Sequence, residues 1–176
     1  MKKSTHNVTV CGLLTALALI FSYVELLIPI SIGIPGIKLG FANIVIVYSV
    51  YKLGPGYAAA INICRILLGG ILFGSVYSTL YAFAGGVMST AGMILLLKAD
   101  LFSVSGVSMA GGVLHNLGQL AVAAFMVKTR QIFLYFPVLV FSGIAAGIFN
   151  GIISSVCLRK TEKLTIHLKN RRMYYA

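Results

Sequence analysis

Apolar residues run through this chain in long blocks, interrupted at intervals by glycine, proline or charge. Six blocks emerge between those breakers: 8–30, 39–53, 55–73, 76–97, 104–127 and 132–158. The first stops at Pro29 and the Gly/Pro-rich stretch Ile32–Gly36, the second at Gly54-Pro55-Gly56, and the third at Gly74-Ser75. Lys98-Ala99-Asp100 ends the fourth, Lys128-Thr129-Arg130 the fifth, and a basic tail follows the sixth. Blocks near 20 residues suit helices that cross a bilayer. The second block is short for a crossing, so it is expected to be broken or to sit beneath a loop. Pro137, inside the sixth, predicts a kink. The expected fold is an all-α integral membrane protein, a six-helix transmembrane bundle over 1–158 with a basic cytoplasmic tail over 159–176.

Composition sharpens this reading. Of the 176 residues, 59% are hydrophobic and 10% charged, with a mean hydropathy of +0.99. A soluble domain has about half apolar and a quarter charged residues, so a water-soluble globule is excluded. Although Lys2 and Lys3 precede the first block, it is too long for a signal peptide, carries Glu25, and meets no small-residue cleavage site. The net charge of +11 sets 14 Lys and Arg against three acids, Glu25, Asp100 and Glu162. With both termini inside, ten basic residues face the cytoplasm, while Lys38, Lys128 and Arg130 face outward. That asymmetry predicts cytoplasmic termini. The tail Arg159–Arg172 then acts as an orientation anchor touching anionic membrane lipid, with no nucleic-acid role.

Polar residues at membrane depth carry the candidate chemistry, because a charge near the bilayer centre costs about 2.5–3.5 kcal/mol and persists where it faces a cavity or a partner. At a rise of about 1.5 Å per residue, Glu25 lies roughly 8 Å and Arg65 roughly 12 Å below the outer surface. Asn43 lies roughly 6 Å down, and His115, Asn116 and Gln119 roughly 12–18 Å. Four helices therefore aim polar groups into the outer half of the bundle, as a pocket opening outward would. Plainer roles stand beside this one. Glu25 and Arg65 also read as a buried ion pair, and Asn62, Asn116 and Asn150 as interhelical hydrogen-bond glue. Lys38 also reads as snorkelling to headgroups, and Tyr23, Phe41, Tyr77 and Tyr81 as an interfacial belt. Small residues are the second signal: Gly12 and Ala16 form a small-xxx-small pair on the first helix, and Gly85, Gly86, Gly92, Gly111, Gly112, Gly118, Gly143 and Gly147 read as internal packing.

Catalysis by this chain is not expected. Prenyl diphosphate chemistry needs acidic clusters that hold Mg²⁺, and no D-D-x-x-D is present. No phosphate-binding G-x-x-x-x-G-K-[ST] loop or Ser/His/Asp set occurs either. Cys11, Cys64 and Cys157 lie in apolar segments without a C-x-x-C, so neither a disulfide framework nor a metal site is expected. No cofactor is implied.

Three strings resemble a known family. Pro35-Gly36-Ile37-Lys38-Leu39-Gly40-Phe41-Ala42-Asn43 resembles the signature of the membrane family labelled heptaprenyl diphosphate synthase component I, also called the Gx transporter family. Arg65-Ile66-Leu67-Leu68-Gly69-Gly70 with Phe73-Gly74, and His115-Asn116-Leu117-Gly118-Gln119, resemble its other two blocks, and Leu53-Gly54-Pro55 also matches. The family's layout is similar to the substrate-binding S-components of energy-coupling factor (ECF) transporters. That resemblance implies a vitamin-like, isoprenoid or quinone-related precursor held near the outer face, beneath a lid at Ile30–Lys38. Lys38 and Arg65 would offer positive charge to the ligand, with Glu25, Asn43, His115, Asn116 and Gln119 as further contacts. Gly12 and Ala16 would dock an ECF coupling subunit joined to two ATPases. The alternative is a non-catalytic membrane subunit partnered with a soluble prenyl diphosphate synthase.

Overall fold

The computed structural model describes residues 2–27, 40–128 and 130–174, with side chains described for 5–27, 40–128 and 131–164. Six α-helices form one bundle: α1 Lys2–Leu27, α2 Phe41–Lys52, α3 Pro55–Phe73, α4 Val76–Ala99, α5 Val104–Val127 and α6 Phe136–Tyr174. A 3-10 helix, Arg130–Tyr135, leads from α5 into α6. No strand occurs among the described residues. Among the described residues, the breakers read at Gly54-Pro55-Gly56, Gly74-Ser75, Lys98–Asp100 and Lys128 are the real boundaries. Gly54 takes φ 95°, open to glycine alone at little cost, and Pro55 follows as the first residue of α3. Ser75 and Ser78 cap the start of α4 reciprocally, each hydroxyl accepting the other's backbone N–H. Asp100 and Lys128 close α4 and α5 in the left-handed conformation.

One expectation changes. Pro137 lies in the first turn of α6, where its missing N–H has no intrahelical acceptor to lose, so it starts the helix instead of kinking it. Beyond residue 158, α6 continues unbroken to Tyr174, a helix of 39 residues. The segment 159–174 is thus a helical extension of the sixth element.

The expected all-α membrane bundle is met in part. Among the described residues, five helices are long and apolar enough to cross a membrane, as in a multi-pass membrane protein. The exception is α2, whose 12 residues cover about 18 Å at 1.5 Å per residue, against about 30 Å of hydrocarbon. It is the most enclosed helix: Ala42, Val45, Ile46, Val47, Ser49 and Val50 are all buried. Its backbone is completed by neighbours. Ser154 on α6 donates to the Ile44 carbonyl at 3.0 Å, and Asn150 donates to the Gly40 carbonyl at 3.2 Å.

The bundle has two unlike ends. At one, Cys11 and Leu14 of α1 meet Val50 and Leu53, Ala58 and Ile61, Met93 and Leu97, and Val104 and Val107 in a continuous apolar cluster. Both the α2–α3 and α4–α5 turns lie there. Along the length of α5 the helices approach through glycine, with α5 in the middle. On α6, Gly143, Gly147 and Gly151 recur every fourth residue and press against α5. A Cβ on Gly151 would stand 2.6 Å from Ser105 Cα, and one on Gly143 2.9 Å from the Gly112 backbone. Toward α4, a Cβ on Gly118 would stand 2.7 Å from the Ala84 carbonyl. The internal-packing role expected of Gly143 and Gly147 is therefore met by direct backbone contact.

Gly12 is different, since a Cβ there would meet nothing within 4 Å. Gly147→Ala should therefore lower stability by about 1–3 kcal/mol by overpacking, despite alanine's better helix propensity. Gly12→Ala should change it by no more than about 0.5 kcal/mol, or raise it. Thermal unfolding of the purified protein in detergent compares the two, and equal melting shifts would contradict the assigned seam.

Candidate functional site

At the end of the bundle away from the apolar cluster, α1, α3, α4 and α5 enclose a cavity of about 460 Å³. Its wall contains Glu25 of α1, Arg65 of α3, and His115 and Gln119 of α5. Four of the residues expected to form a pocket thus share one. Periodicity explains the pairing on α5, since His115 and Gln119 stand four residues apart on one face, with Gln119 Nε2 3.2 Å from His115 Nε2.

Arg65 is held from one side only. Its Nε donates to Asn62 Oδ1 at 2.9 Å. Asn62 is buried, and its amide donates to the Gly86 carbonyl at 2.9 Å and to Thr90 Oγ1 at 2.7 Å. The guanidinium is in this way fixed to α4 through Asn62. Its terminal nitrogens have no hydrogen-bond partner among the described residues, and they belong to the wall of the cavity. The Glu25 carboxylate in the same wall acts on it electrostatically, which meets the ion-pair expectation in part, while guanidinium N–H groups without a hydrogen-bond acceptor at this depth are costly unless an anion or water meets them. Glu25 also has a structural role, as its carboxylate accepts the backbone N–H of Gly40, the residue that leads into α2.

More of the wall comes from residues that the sequence did not mark as ligand contacts. Ser22, Ser75, Ser78 and Thr79 supply hydroxyls, and Gly69, Gly70 and Gly74 supply space. A Cβ on Gly70 would overlap Thr79, so the glycine admits the threonine. Gly74-Ser75 was legible as a break between helices, but a break does not disclose that it opens on a cavity. The positive end of the α4 dipole is directed there.

A second cavity of about 470 Å³ adjoins the first, and Ser78, Ala82 and Gln119 line both. Its other walls are apolar or aromatic: Tyr81, Leu120, Ala123, Val127, Ile132, Tyr135 and Leu139, from α4, α5, the 3-10 helix and α6. Of the four residues expected in an interfacial belt, Tyr81 lines this compartment. Tyr23 packs on Phe73 with ring centroids 5.5 Å apart, Phe41 faces Phe149 at 6.1 Å, and Tyr77 is exposed.

Other expected contacts are elsewhere. Asn116 points at α6, donating to the Leu139 carbonyl at 2.7 Å and to Ser142 Oγ at 3.1 Å. It therefore has the interhelical role that was its plainer reading, and it lines neither cavity. Asn43 is likewise outside both linings, on the first turn of α2, where its backbone N–H donates to the Gly40 carbonyl at 2.7 Å. Lys38 and the expected lid Ile30–Lys38 lie outside the described residues. Gly12 and Ala16 sit exposed on α1. Among the described residues no group of His, Cys, Asp and Glu is arranged to hold a metal ion.

A family model described as heptaprenyl diphosphate synthase component I matches residues 14–157, most of the chain, and the chain belongs to that family. No curated protein and no solved structure matches it.

Removing the two asparagines separates scaffold from site. Asn116→Ala should cost about 1 kcal/mol, the usual worth of an interhelical polar contact in a membrane. Asn62→Ala should cost about 1–3 kcal/mol, because it also strips partners from Gly86, Thr90 and Arg65. Detergent melting curves read both, and an Asn62 variant no less stable than the Asn116 one would contradict the anchoring of Arg65 to α4.

Proposed function

We propose that this member of the heptaprenyl diphosphate synthase component I family is a non-catalytic membrane subunit that works with a soluble prenyl diphosphate synthase and binds an anionic small molecule beside Arg65. One observation carries this reading, the dispersal of the chain's three carboxylates. Glu25 stands at the polar cavity. Asp100 caps the far end of α4, about 36 Å of helix from the Ser75 end at 1.5 Å per residue. Glu162 is exposed on the late part of α6. Condensing prenyl diphosphates requires several carboxylates on shared Mg²⁺. With one carboxylate and one guanidinium at the cavity, this chain has the means to recognise an anion but not to ionise a diphosphate. The chemistry falls to the partner, and the family's description supports a synthase in that role.

A second reading, the binding subunit of an energy-coupled uptake system, is favoured by the placement of the cavity. Lys52 and Lys98 end α2 and α4 at the apolar end, and basic residues favour the cytoplasmic side. The polar cavity then opens outward, away from a soluble cytoplasmic synthase. On this reading the exposed Gly12 and Ala16 would receive an ECF coupling subunit.

Affinity purification of the tagged chain from its native membranes distinguishes the two. The leading reading predicts co-elution of a soluble prenyl diphosphate synthase whose product chain length shifts when the membrane subunit is removed. A chain that elutes with a membrane coupling subunit and ATPases instead would overturn it. Gly12→Leu with Ala16→Leu provides a second check. It should leave synthase co-elution and product length intact on the first reading, and abolish uptake on the second.

A further inference from the structure

Helix α6 starts short of the end of α5. Asn116 of α5 donates to the carbonyl of Leu139, in the first turn of α6. From that level α5 runs on to Val127, roughly 16 Å of helix, whereas α6 offers only Phe136–Val138. The 3-10 helix covers part of the difference. Because α4 and α6 both pack on α5 but scarcely on each other, the uncovered part is a cleft in the side of the bundle, the apolar cavity of about 470 Å³. Leu120, Ala123 and Val127 form its back, Tyr81 one flank, and Ile132 and Leu139 the other. No charged residue lines it. Val127 and Ile132 both do, so the chain between them, with Lys128 and Arg130, passes over its rim. We infer that this cleft holds one acyl chain of an anionic phospholipid, with the phosphate headgroup at Lys128 and Arg130.

Position, polarity and charge agree on that occupant. The cleft lies along membrane-spanning helices, with Val127 and Tyr135 exposed, so its open side meets hydrocarbon. Left empty, its lining forfeits van der Waals contacts. Water would find few partners against Leu120, Val127, Ile132 and Leu139. An alkyl chain restores the contacts and asks for no hydrogen bonds. The volume lies within the range of one small-ligand pocket, about 300–1,000 Å³, room for one chain while the second stays in the bilayer. Any charged group of the occupant must remain outside, because the lining offers no counter-charge. The α5 span stops at Val127, so Lys128, which is exposed, and Arg130 stand at headgroup depth. Basic residues there attract anionic lipid. Of the three basic residues that the sequence assigns to this end of the bundle, Lys38, Lys128 and Arg130, two are thus at the cleft. The inference is independent of Arg65 and of any protein partner.

The full chain in phosphatidylcholine nanodiscs tests it, doped with phosphatidylglycerol that carries a diazirine near the end of one acyl chain. Illumination and peptide mapping should place saturable label on the segments 119–127 and 132–139, which line the cleft. Unlabelled phosphatidylglycerol should displace it. Diacylglycerol with the same chains should need a roughly thirtyfold higher mole fraction, since each basic residue near a membrane surface is worth about fivefold. Lys128→Gln should weaken cleft labelling about fivefold, and Lys128→Gln with Arg130→Gln roughly thirtyfold. Ala123→Phe fills the cleft and should abolish its label, while label beside the basic tail stays. Should that variant not fold, Lys128→Gln carries the test, because Lys128 is exposed. Label spread evenly over the exposed faces of α1 and α3 would overturn the inference, as would equal displacement by diacylglycerol. Unchanged cleft labelling in the folded Ala123→Phe protein, or in the Lys128 and Arg130 double variant, would overturn it as well. Arg65→Gln should leave the cleft labelled, and a loss there would assign the lipid to the polar cavity instead.

Discussion

Helix α2 is too short to cross a bilayer, and much of the bundle is arranged around that fact. Lipid offers no hydrogen bonds, so the backbone groups at its ends must find partners inside the protein. Gly40 is where they do. Its φ of 69° would be strained for most side chains, and the turn it permits presents the N–H to Glu25 on α1 and the carbonyl to Asn150 on α6. Three helices are tied at one residue. With Ser154 holding the Ile44 carbonyl, the start of α2 is secured from both sides. A carboxylate that would be expensive alone at this depth thereby gains a structural role as well as a place in the cavity wall.

Two kinds of packing then divide the molecule. Where α1 through α5 meet at the apolar end, interdigitated side chains fill the space and no polar group is required. On the other side, α5 approaches α4 and α6 through glycines whose missing side chains let backbone touch backbone. Close approach gives van der Waals contact where water-driven association is absent. It also fixes His115, Gln119 and Leu120 on a helix held from both flanks, so that a rigid element separates the polar cavity from the apolar one. Arg65 is the counterpart on α3, immobilised by Asn62 on one edge and open on the other.

Much of this was legible in the chain, and the parts that were not have physical causes. Glycine, proline and serine mark the helix ends because φ and missing donors are local properties, and they fell where the sequence placed them. Glu25, Arg65, His115 and Gln119 stood out because polarity inside an apolar block is rare and costly. Pro137 misled, since a proline breaks a helix only from its interior, and whether residue 136 starts a helix depends on the 3-10 segment before it. Asn116 could not be sorted from its neighbours: a fraction of a helical turn, the step of one residue from His115, decides whether an amide faces a cavity or the next helix, and only packing reveals that rotation. Ser22, Ser78 and Thr79 stayed hidden for a related reason, as hydroxyls on helices commonly bond their own backbone, as Ser22 does to the Ala18 carbonyl, and carry no signal of a cavity.

The ligand recognition proposed for this bundle rests on the guanidinium of Arg65 meeting an anion from outside the chain. Native mass spectrometry of the protein, taken from its own membranes and freed of detergent in the gas phase, tests this directly. One bound anionic small molecule per chain is expected, lost on collisional activation and absent from the Arg65→Gln protein. A chain without such a molecule, or one carried equally by wild type and Arg65→Gln, would contradict it.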